Sequence, residues 1–260
     1  MSITPKIAFI LAAGRGKRME HLTDDCPKPL IQVKGKALID YVVDKVKALG
    51  IKTCFVNLYY QGEKIEKHLK ETFPEMDFRF VWDWCQGLET GGGIEQVIDK
   101  IRPLAPDGFL VFNSDTIWTD TKPSVLSKML SDFNPNTTDI MLLFEPKENV
   151  LPPEDGNYFV ENGKPRRQKP GEKDIPYLYA GTQIVHPRAF DGAPHAPFTI
   201  RDLFDKAEKD GRLGYVVHNG YFFHVGTPEG LGIANNSEHI TGAIETASIL
   251  KLSKEQGNCK

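Results

Sequence analysis

A glycine-rich loop with several cations stands near the start of the chain. Its sequence, ILAAGRGKRM, occupies Ile10–Met19 and ends a short apolar run. Gly14 and Gly16 leave the backbone bare, and the N–H groups of such a loop can contact an anion. The loop could also be an ordinary turn. It does not fit the Walker phosphate-binding loop, and Met19 replaces the third glycine of the dinucleotide fingerprint GxGxxG.

A second segment, CPKPL at 26–30, favours a functional loop over an ordinary turn. It holds Lys28 between two prolines, which stiffen the backbone around the lysine. Together with the glycine-rich loop, this segment places up to four cations within fifteen residues: Arg15, Lys17, Arg18 and Lys28. This density of positive charge suits a triphosphate better than a single carboxylate.

The two segments together resemble the signature of the sugar-1-phosphate nucleotidylyltransferases, L-x-x-G-x-G-x-R-[ML]-x-P-L-T-x-x-x-P-K-P, with His21 in place of one proline. Other stretches are similar to one branch of that family, the N-acetylmuramate-1-phosphate uridylyltransferases. These stretches are LETGGGI at 88–94, NSDTIWTD at 113–120 and YAGTQIVHPRAF at 179–190. FTIRDLF and FFHVGTPEGL match the end of the catalytic core, so the resemblance covers roughly residues 6–235.

The resemblance implies an enzyme that transfers a nucleotidyl group from a nucleoside triphosphate to a sugar-1-phosphate and releases pyrophosphate. The branch points to UTP and N-acetylmuramic acid α-1-phosphate, in peptidoglycan sugar recycling. A mannose-1-phosphate guanylyltransferase and a glucose-1-phosphate nucleotidylyltransferase stay open as alternatives. So does a catalytically inactive regulator that binds a nucleotide sugar. The family also implies Mg²⁺ as the cofactor, with Mn²⁺ as the alternative ion.

The resemblance assigns roles to individual residues. The implied catalytic residues are Arg18 at the β- and γ-phosphates, Lys28 at the α-phosphate, and Asp115 as a metal ligand. The implied nucleotide contacts are Leu11, Ala13, Gly14, Gly16, Lys17, Arg18, Lys28, Glu89, Gly91 and Gly92. The implied contacts of the sugar phosphate are Thr90, Asn113, Gly156, Lys169, Gly181 and Thr182, although Gln168 precedes Lys169 where the family has an acid.

His224 marks a departure from the family. The chain reads His224-Val225-Gly226-Thr227 where the family has D-V-G-T, and that aspartate is the family's second metal ligand. Histidine is a softer ligand than a carboxylate and is unusual for Mg²⁺. Three interpretations are open. His224 is itself a metal ligand beside Asp115; Asp83, Asp120 or the substrate phosphates take that role; or the site is inactive.

The scaffold that positions these residues is predicted to be an α/β fold. Apolar runs and strand patterns occur at 6–11, 53–58, 77–81, 108–112 and 139–144, and the first suits a strand buried on both faces. Helical spacing separates them at 37–49, 63–72, 91–101 and 123–133. This alternation predicts a doubly wound, Rossmann-like, mostly parallel sheet with its ligand site beyond the carboxyl ends of the strands.

Residues 145–176 break the alternation with many prolines, glycines and charges, which predicts a small inserted sugar-binding lobe with a hairpin near 158–163. Strands at 177–186, 216–217 and 222–225, a helix at 198–209 and a C-terminal helix at about 228–250 are expected to follow. We expect one nucleotidyltransferase domain over 1–260. Its nucleotide-binding half spans about 1–145 and its sugar-binding half about 146–235.

Composition limits the partners and the compartment. The 260-residue chain has a formal net charge of −3, which argues against a global surface for nucleic acid. It has neither a signal-peptide core nor an apolar run near the ~20 residues of a membrane span. Four scattered cysteines without a CxxC pair argue against zinc and disulfides. We therefore expect a cytoplasmic monomer or homodimer whose partners are its small-molecule substrates.

Overall fold

The computed structural model describes residues 4–85, 87–119 and 124–240. Its strands are β1 (Ile7–Leu11), β2 (Gln32–Val33), β3 (Lys36–Ala37), β4 (Thr53–Leu58), β5 (Asp77–Trp82), β6 (Phe109–Asn113), β7 (Thr116–Trp118), β8 (Ile140–Pro146), β9 (Val150–Leu151), β10 (Tyr158–Glu161), β11 (Lys164–Arg167), β12 (Tyr177–Val185), β13 (Leu213–Val217) and β14 (Phe222–His224). Its α-helices are α1 (Leu38–Ala48), α2 (Gly62–Thr72), α3 (Glu89–Glu95), α4 (Ile98–Ile101), α5 (Val125–Asp132), α6 (Ile200–Lys209) and α7 (Pro228–Asn236). Short 3₁₀ turns occupy Lys17–Thr23, Lys28–Leu30, Lys147–Asn149 and Pro187–Phe190.

The main sheet confirms the predicted α/β class. Its strands follow the order β11-β10-β12-β6-β1-β4-β5, and β8 and β13 extend it from β12. The strands β6, β1, β4 and β5 are parallel neighbours, so their carboxyl ends meet at one edge. β12 runs antiparallel to both β6 and β8. The sheet is therefore mixed, with its parallel part built from the first half of the chain.

Helices cover the parallel strands on both faces. Along β1, Ala8 and Ile10 pack in a cluster with α1 and α2, while Ile7 and Phe9 pack in a second cluster with α3 and α6. All four of these β1 residues are at most 2% exposed. The uninterrupted apolar run at the start of the chain is explained by this double burial.

A small second sheet, β7-β14-β9, lies outside the main one. β14 is antiparallel to β7, with His224 opposite Thr116, and parallel to β9, with Phe223 opposite Leu151. Short strands with little periodicity carry a weak sequence signal, and β7 and β9 were not predicted. This sheet ties the end of β14 to the segment that follows β6.

Several local predictions are resolved by the structure. The hairpin is confirmed as β10 and β11, whose register pairs Glu161 with Lys164. The helix expected at 91–101 is two helices, α3 and α4, because Val97 between them has non-helical φ and ψ of −129° and 10°. The C-terminal helix was predicted too long, since α7 ends at Asn236 and Ser237 is extended; residues 241–250 of that prediction lie outside the described residues.

Over the described ranges, no helix is long and apolar enough to cross a membrane.

Candidate active site

A cleft of about 550 Å³ opens beyond the carboxyl ends of the parallel strands. Leu11 of β1, Asn57 of β4 and Asn113 of β6 lie on its floor, and Asp83 follows β5 at one side. Its volume is in the range of small-molecule sites, about 300–1,000 Å³. Most of the predicted site residues line it: Leu11, Ala13, Gly14, Gly16, Lys17, Arg18, Lys28, Glu89, Thr90, Asn113 and Asp115.

The glycine-rich loop and the Pro-Lys-Pro segment pack directly against each other. Gly16 has a φ of +69°, and a Cβ added there would lie 2.8 Å from Lys28 Cβ. A side chain at position 16 would therefore be strained and would displace the lysine. Gly14 is exposed, and a Cβ there would meet nothing within 4 Å. The two glycines thus have different tasks: Gly16 seats Lys28, and Gly14 keeps the backbone open to the cleft.

Lys28 and Asp115 form an ion pair inside the cleft. Lys28 Nζ donates to Asp115 Oδ2 at 2.5 Å, and the two side chains are only 11% and 20% exposed. Burial raises the pKa of Asp115, but the positive charge of Lys28, the proximity of His224 and the hydrogen bond from Lys28 outweigh burial, so this pKa lies below its usual value. Asp115 is therefore ionised at neutral pH.

The second oxygen of Asp115 suits a divalent cation. Asp115 Oδ1 is buried and has no hydrogen-bond partner within the described part of the chain. An unpartnered carboxylate oxygen in such a place is a hard ligand of the kind that Mg²⁺ prefers. No group of three His, Cys, Asp or Glu side chains among the described residues could hold a metal alone.

His224 lies beside Asp115 but does not line the cleft itself. The N–H of Val225 donates to the carbonyl oxygen of Asp115 at 3.2 Å, so the two segments adjoin along the backbone. His224 Nδ1 contacts Glu154 Oε1, which comes from the inserted segment after β9. Sequence reasoning missed Glu154, because an acid in a proline-rich loop carries no pattern of its own.

Asp83 is too far from Asp115 to share a metal with it. The two residues follow β5 and β6, which are three strands apart in the sheet, so about 14 Å separates those strand ends. Asp83 Oδ1 instead accepts from Gln96 Nε2 at 2.8 Å, and burial raises its pKa. The alternative that Asp83 replaces His224 is therefore excluded by topology. Asp120, the other alternative, lies outside the described residues.

Asn57 is a cleft residue that the sequence analysis missed. Its Oδ1 accepts from the N–H of Ala12 at 2.9 Å, and its Nδ2 lies 3.4 Å from Asp83 Oδ2. The side chain therefore links the loop after β1 to the residue after β5. Its sequence position could have indicated this role, because Asn57 is a polar residue near the end of an otherwise apolar strand. A buried polar side chain in such a place requires hydrogen-bond partners.

Two predicted nucleotide contacts, Gly91 and Gly92, lie outside the cleft lining. Their N–H groups donate to the carbonyl oxygen of Phe198 at 3.0 and 3.1 Å. A Cβ on Gly91 would lie 2.3 Å from the Phe198 ring, and one on Gly92 would lie 2.7 Å from Ala196 Cβ. In this structure the glycines allow α3 to pack closely against the segment before α6. A contact between them and a nucleotide stays a prediction.

The predicted sugar contacts divide into two groups. Thr90 and Asn113 line the cleft, and Gly181 adjoins them, since a Cβ on Gly181 would lie 2.6 Å from Asn113 Nδ2. Thr182 is fully buried, and its hydroxyl has no partner among the described residues.

The structure does not bring Gly156 and Lys169 to the cleft. Gly156 is buried where its backbone passes close to the carbonyl oxygen of Ile175, 2.4 Å from an added Cβ. Lys169 is exposed in the loop after β11. Their contacts with a sugar phosphate therefore stay predictions.

A glycine-rich loop after β1, a cleft at the strand ends and a Lys–Asp pair within it are suited to nucleotidyl transfer. Comparison with known proteins agrees. The chain belongs to the family of the MobA-like NTP transferase domain, which matches residues 8–220. The family resemblance seen in the sequence is thereby confirmed.

Individual relatives are more specific. The chain is 34% identical to the N-acetylmuramate alpha-1-phosphate uridylyltransferase of Caulobacter vibrioides over 88% of this chain and 95% of the relative. It is 30% identical to the protein of the same name from Neisseria meningitidis, over 85% and 93%. The solved inositol-1-phosphate CTP transferase from T. maritima shares the fold, with a TM-score of 0.73 at 14% identity over 91% and 99%.

Proposed function

We propose that the protein transfers a uridylyl group from UTP to N-acetylmuramic acid α-1-phosphate and releases pyrophosphate. The general activity, nucleotidyl transfer to a sugar-1-phosphate, is supported by the family and by the relatives. UTP and the muramic sugar come from the names of the relatives in Caulobacter vibrioides and Neisseria meningitidis. Peptidoglycan sugar recycling in the cytoplasm belongs to the proposal as the setting in which this substrate arises.

The observation that carries the reaction type is the Lys28–Asp115 pair in the cleft. Nucleotidyl transfer needs no covalent enzyme intermediate, so the protein contributes positioning and neutralisation of charge. In the proposal a phosphate oxygen of the sugar-1-phosphate attacks the α-phosphorus, and the bond to the pyrophosphate oxygen breaks. Lys28 contacts the α-phosphate, where charge develops. Arg18, which is exposed in the cleft, holds the leaving pyrophosphate.

Asp115, through Oδ1, is the side chain that would hold Mg²⁺ or Mn²⁺. Such an ion supplies Lewis-acid polarisation of the phosphoryl oxygens. In the proposal, different parts of the two substrates contact the ends of different strands. We place the triphosphate along the loop after β1, since that loop and the ends of β1 and β6 line the cleft, and the base toward Asn57 and Asp83 at the ends of β4 and β5. Thr90 and Asn113 are then available to the sugar.

The experiment is a screen of four nucleoside triphosphates against several sugar-1-phosphates, read as pyrophosphate release. The proposal expects the highest kcat/KM for UTP with N-acetylmuramic acid α-1-phosphate. A Lys28→Met variant is the negative control, and it must abolish most of the signal. A higher kcat/KM for UTP with another sugar-1-phosphate would reject the muramic sugar as the acceptor.

Two other results would replace the proposal. Turnover that is best with GTP and mannose-1-phosphate, or with glucose-1-phosphate and any nucleotide, would assign the chain to the corresponding nucleotidylyltransferase. Tight binding of a nucleotide sugar without turnover of any pair would identify a regulator. The intact Lys28–Asp115 pair argues against that last outcome, because a regulator has no need of an ion pair at the reacting phosphate.

A further inference from the structure

Arg15 is a cation of the glycine-rich loop that has no role in the mechanism proposed above. It is exposed and lines the cleft between Gly14 and Gly16. Within the described part of the chain its guanidinium has no acidic partner. It lies instead over the ring of Tyr60, with Arg15 Cζ 5.3 Å from the ring centroid. A cation–π contact of this kind orients an arginine and leaves its N–H groups free to donate to an anion.

Tyr60 is anchored at the corner between β4 and α2. Its hydroxyl donates to the carbonyl oxygens of Thr23 at 2.9 Å and Asp24 at 3.1 Å. The neighbouring Gln61 Nε2 donates to the same oxygen of Asp24 at 3.0 Å. These hydrogen bonds join the corner to the segment that follows the glycine-rich loop. The ring under Arg15 is therefore held in place by contacts that do not involve the arginine.

Arg15 and Arg18 extend from the same loop toward different walls of the cleft. Arg18 Nη2 lies 3.3 Å from the point that a Cβ on Gly226 would occupy, and Gly226 comes shortly after β14. Arg15 lies over Tyr60, which comes shortly after β4. β4 is next to β1 on one side and β6 is next to it on the other, and β14 pairs with β7, which follows β6. The two guanidinium groups therefore flank the loop from opposite sides.

We infer that Arg15, held over the ring of Tyr60, contacts the terminal phosphate of the nucleoside triphosphate, and that Tyr60 is the residue that positions it. The inference rests on the proposed function, in which the triphosphate lies along the loop after β1. No bond to the terminal phosphate forms or breaks in that reaction. The contact is therefore equally strong in the ground state and in the transition state, and it lowers the KM for the nucleotide without changing kcat.

The test compares UTP with UDP, which lacks only the terminal phosphate, by calorimetric titration without a sugar phosphate. Arg15→Met should raise the Kd of UTP about tenfold or more, because it removes a hydrogen bond between charged groups, and should leave the Kd of UDP unchanged. In assays of pyrophosphate release the same variant should raise the KM for UTP, with kcat within about threefold of the parent. This result would separate Arg15 from Lys28, whose removal lowers kcat.

Arg79→Met is the matched control for the loss of an arginine. Arg79 also lies over an aromatic ring, that of Phe55, with Arg79 Cζ 5.6 Å from the ring centroid. It lines a separate groove beside β5 and does not line the cleft. Its replacement should therefore leave the Kd values of both nucleotides unchanged.

Two variants of Tyr60 test its positioning role. Tyr60→Phe keeps the ring and Tyr60→Leu removes it, while both remove the hydroxyl. The preference for UTP over UDP should therefore be about two- to fivefold smaller in Tyr60→Leu than in Tyr60→Phe, the effect of an exposed cation–π contact. In the Arg15→Met background the two Tyr60 variants should show the same preference, because the ring then has no guanidinium to hold.

Three results would overturn the inference. If Arg15→Met binds UTP as tightly as the parent, Arg15 is not a phosphate contact. If it weakens UTP and UDP equally, Arg15 does not contact the terminal phosphate. If Tyr60→Leu shows the same preference as Tyr60→Phe or a larger one, Tyr60 does not position Arg15.

Inorganic tripolyphosphate, a probe without base or sugar, separates these results from a failure of the proposed function. Weaker binding of tripolyphosphate to Arg15→Met than to a parent that does not bind UTP would keep the role of Arg15 and reject UTP as the substrate. A parent protein that binds neither UTP nor tripolyphosphate would reject both.

Discussion

Removing Lys28 tests the chemistry of the cleft most directly. Lys28→Met keeps the aliphatic stem and deletes the charge that lies 2.5 Å from Asp115 Oδ2. If the lysine stabilises charge that develops on the α-phosphate, turnover falls by about 100-fold or more, because this contact acts mainly in the transition state. That loss corresponds to at least about 2.7 kcal/mol of activation free energy. A kcat within threefold of the parent would remove Lys28 from the mechanism.

The same change should lower stability, because it leaves Asp115 buried without its partner. Breaking a buried pair in this way costs about 3–5 kcal/mol. We expect about 3 kcal/mol here, at the lower end, since 20% of the Asp115 side chain is exposed. For a chain of this size that lowers Tm by about 6–12 °C. Kinetics must therefore be measured well below the variant's Tm, so that lost turnover is not mistaken for unfolding.

The pH dependence of this stability loss has a definite sign. The folded pKa of Asp115 in the parent is lowered, so its ionised form stabilises the fold above the unfolded pKa of about 3.9, and this contribution disappears as pH falls through the folded pKa. Without Lys28 that pKa rises. The difference in unfolding free energy between the parent and Lys28→Met therefore has its largest value at pH 7 and becomes smaller as the pH falls. A constant difference from pH 7 to pH 3 would refute the ion-pair account.

Lys128→Met is the matched control for these measurements. Lys128 also pairs with an aspartate, Asp132, but the two side chains are 54% and 41% exposed. An exposed pair of this kind contributes only about 0.3–0.5 kcal/mol. Its loss should leave kcat unchanged and Tm almost unchanged.

Three further predictions concern other parts of the cleft and the core. Arg18→Ala should weaken nucleotide binding and inhibition by pyrophosphate, measured as Kd and Ki; unchanged pyrophosphate inhibition would place Arg18 elsewhere. Gly181→Ala should destabilise the fold by about 1–3 kcal/mol in denaturant titration, because φ there is +71° and the new Cβ would collide with Asn113; an unchanged midpoint would contradict this. His218→Ala should cost about 3–5 kcal/mol, since it strands the fully buried Glu145, whereas a loss below 1 kcal/mol would show that this pair is not structural.

The alternation of strands and helices in the first half of the chain could be predicted from the sequence, because the local pattern of apolar residues there agrees with their burial in the folded protein. The run at Ile7–Leu11 is apolar at every position because helices cover both faces of β1. The position of the glycine-rich loop at the end of that strand follows from the same pattern. In elements that are long and strongly patterned, the local sequence largely determines whether a helix or a strand forms.

Short elements could not be predicted from the sequence in the same way, and neither could glycines that can serve either ligand binding or close packing. Gly91 and Gly92 resemble a ligand-binding loop, yet their N–H groups donate to Phe198, about a hundred residues later. Val97 fits the helical spacing of apolar residues but interrupts the helix through its backbone angles. For the two glycines long-range packing decided the conformation, and local sequence carries no record of a partner so far along the chain.

The sequence by itself determined the fold class, the loop after β1 and the identity of Lys28 and Asp115 as residues suited to phosphate and metal chemistry. Only the tertiary structure decided which residues share one site. The order β6-β1-β4-β5 separates Asp83 from Asp115, and the pairing of β9 with β14 joins Glu154 to His224. The physical reason is that strand order and register are settled by packing over the whole sheet, whereas residue type and spacing report only the chemistry available at each position.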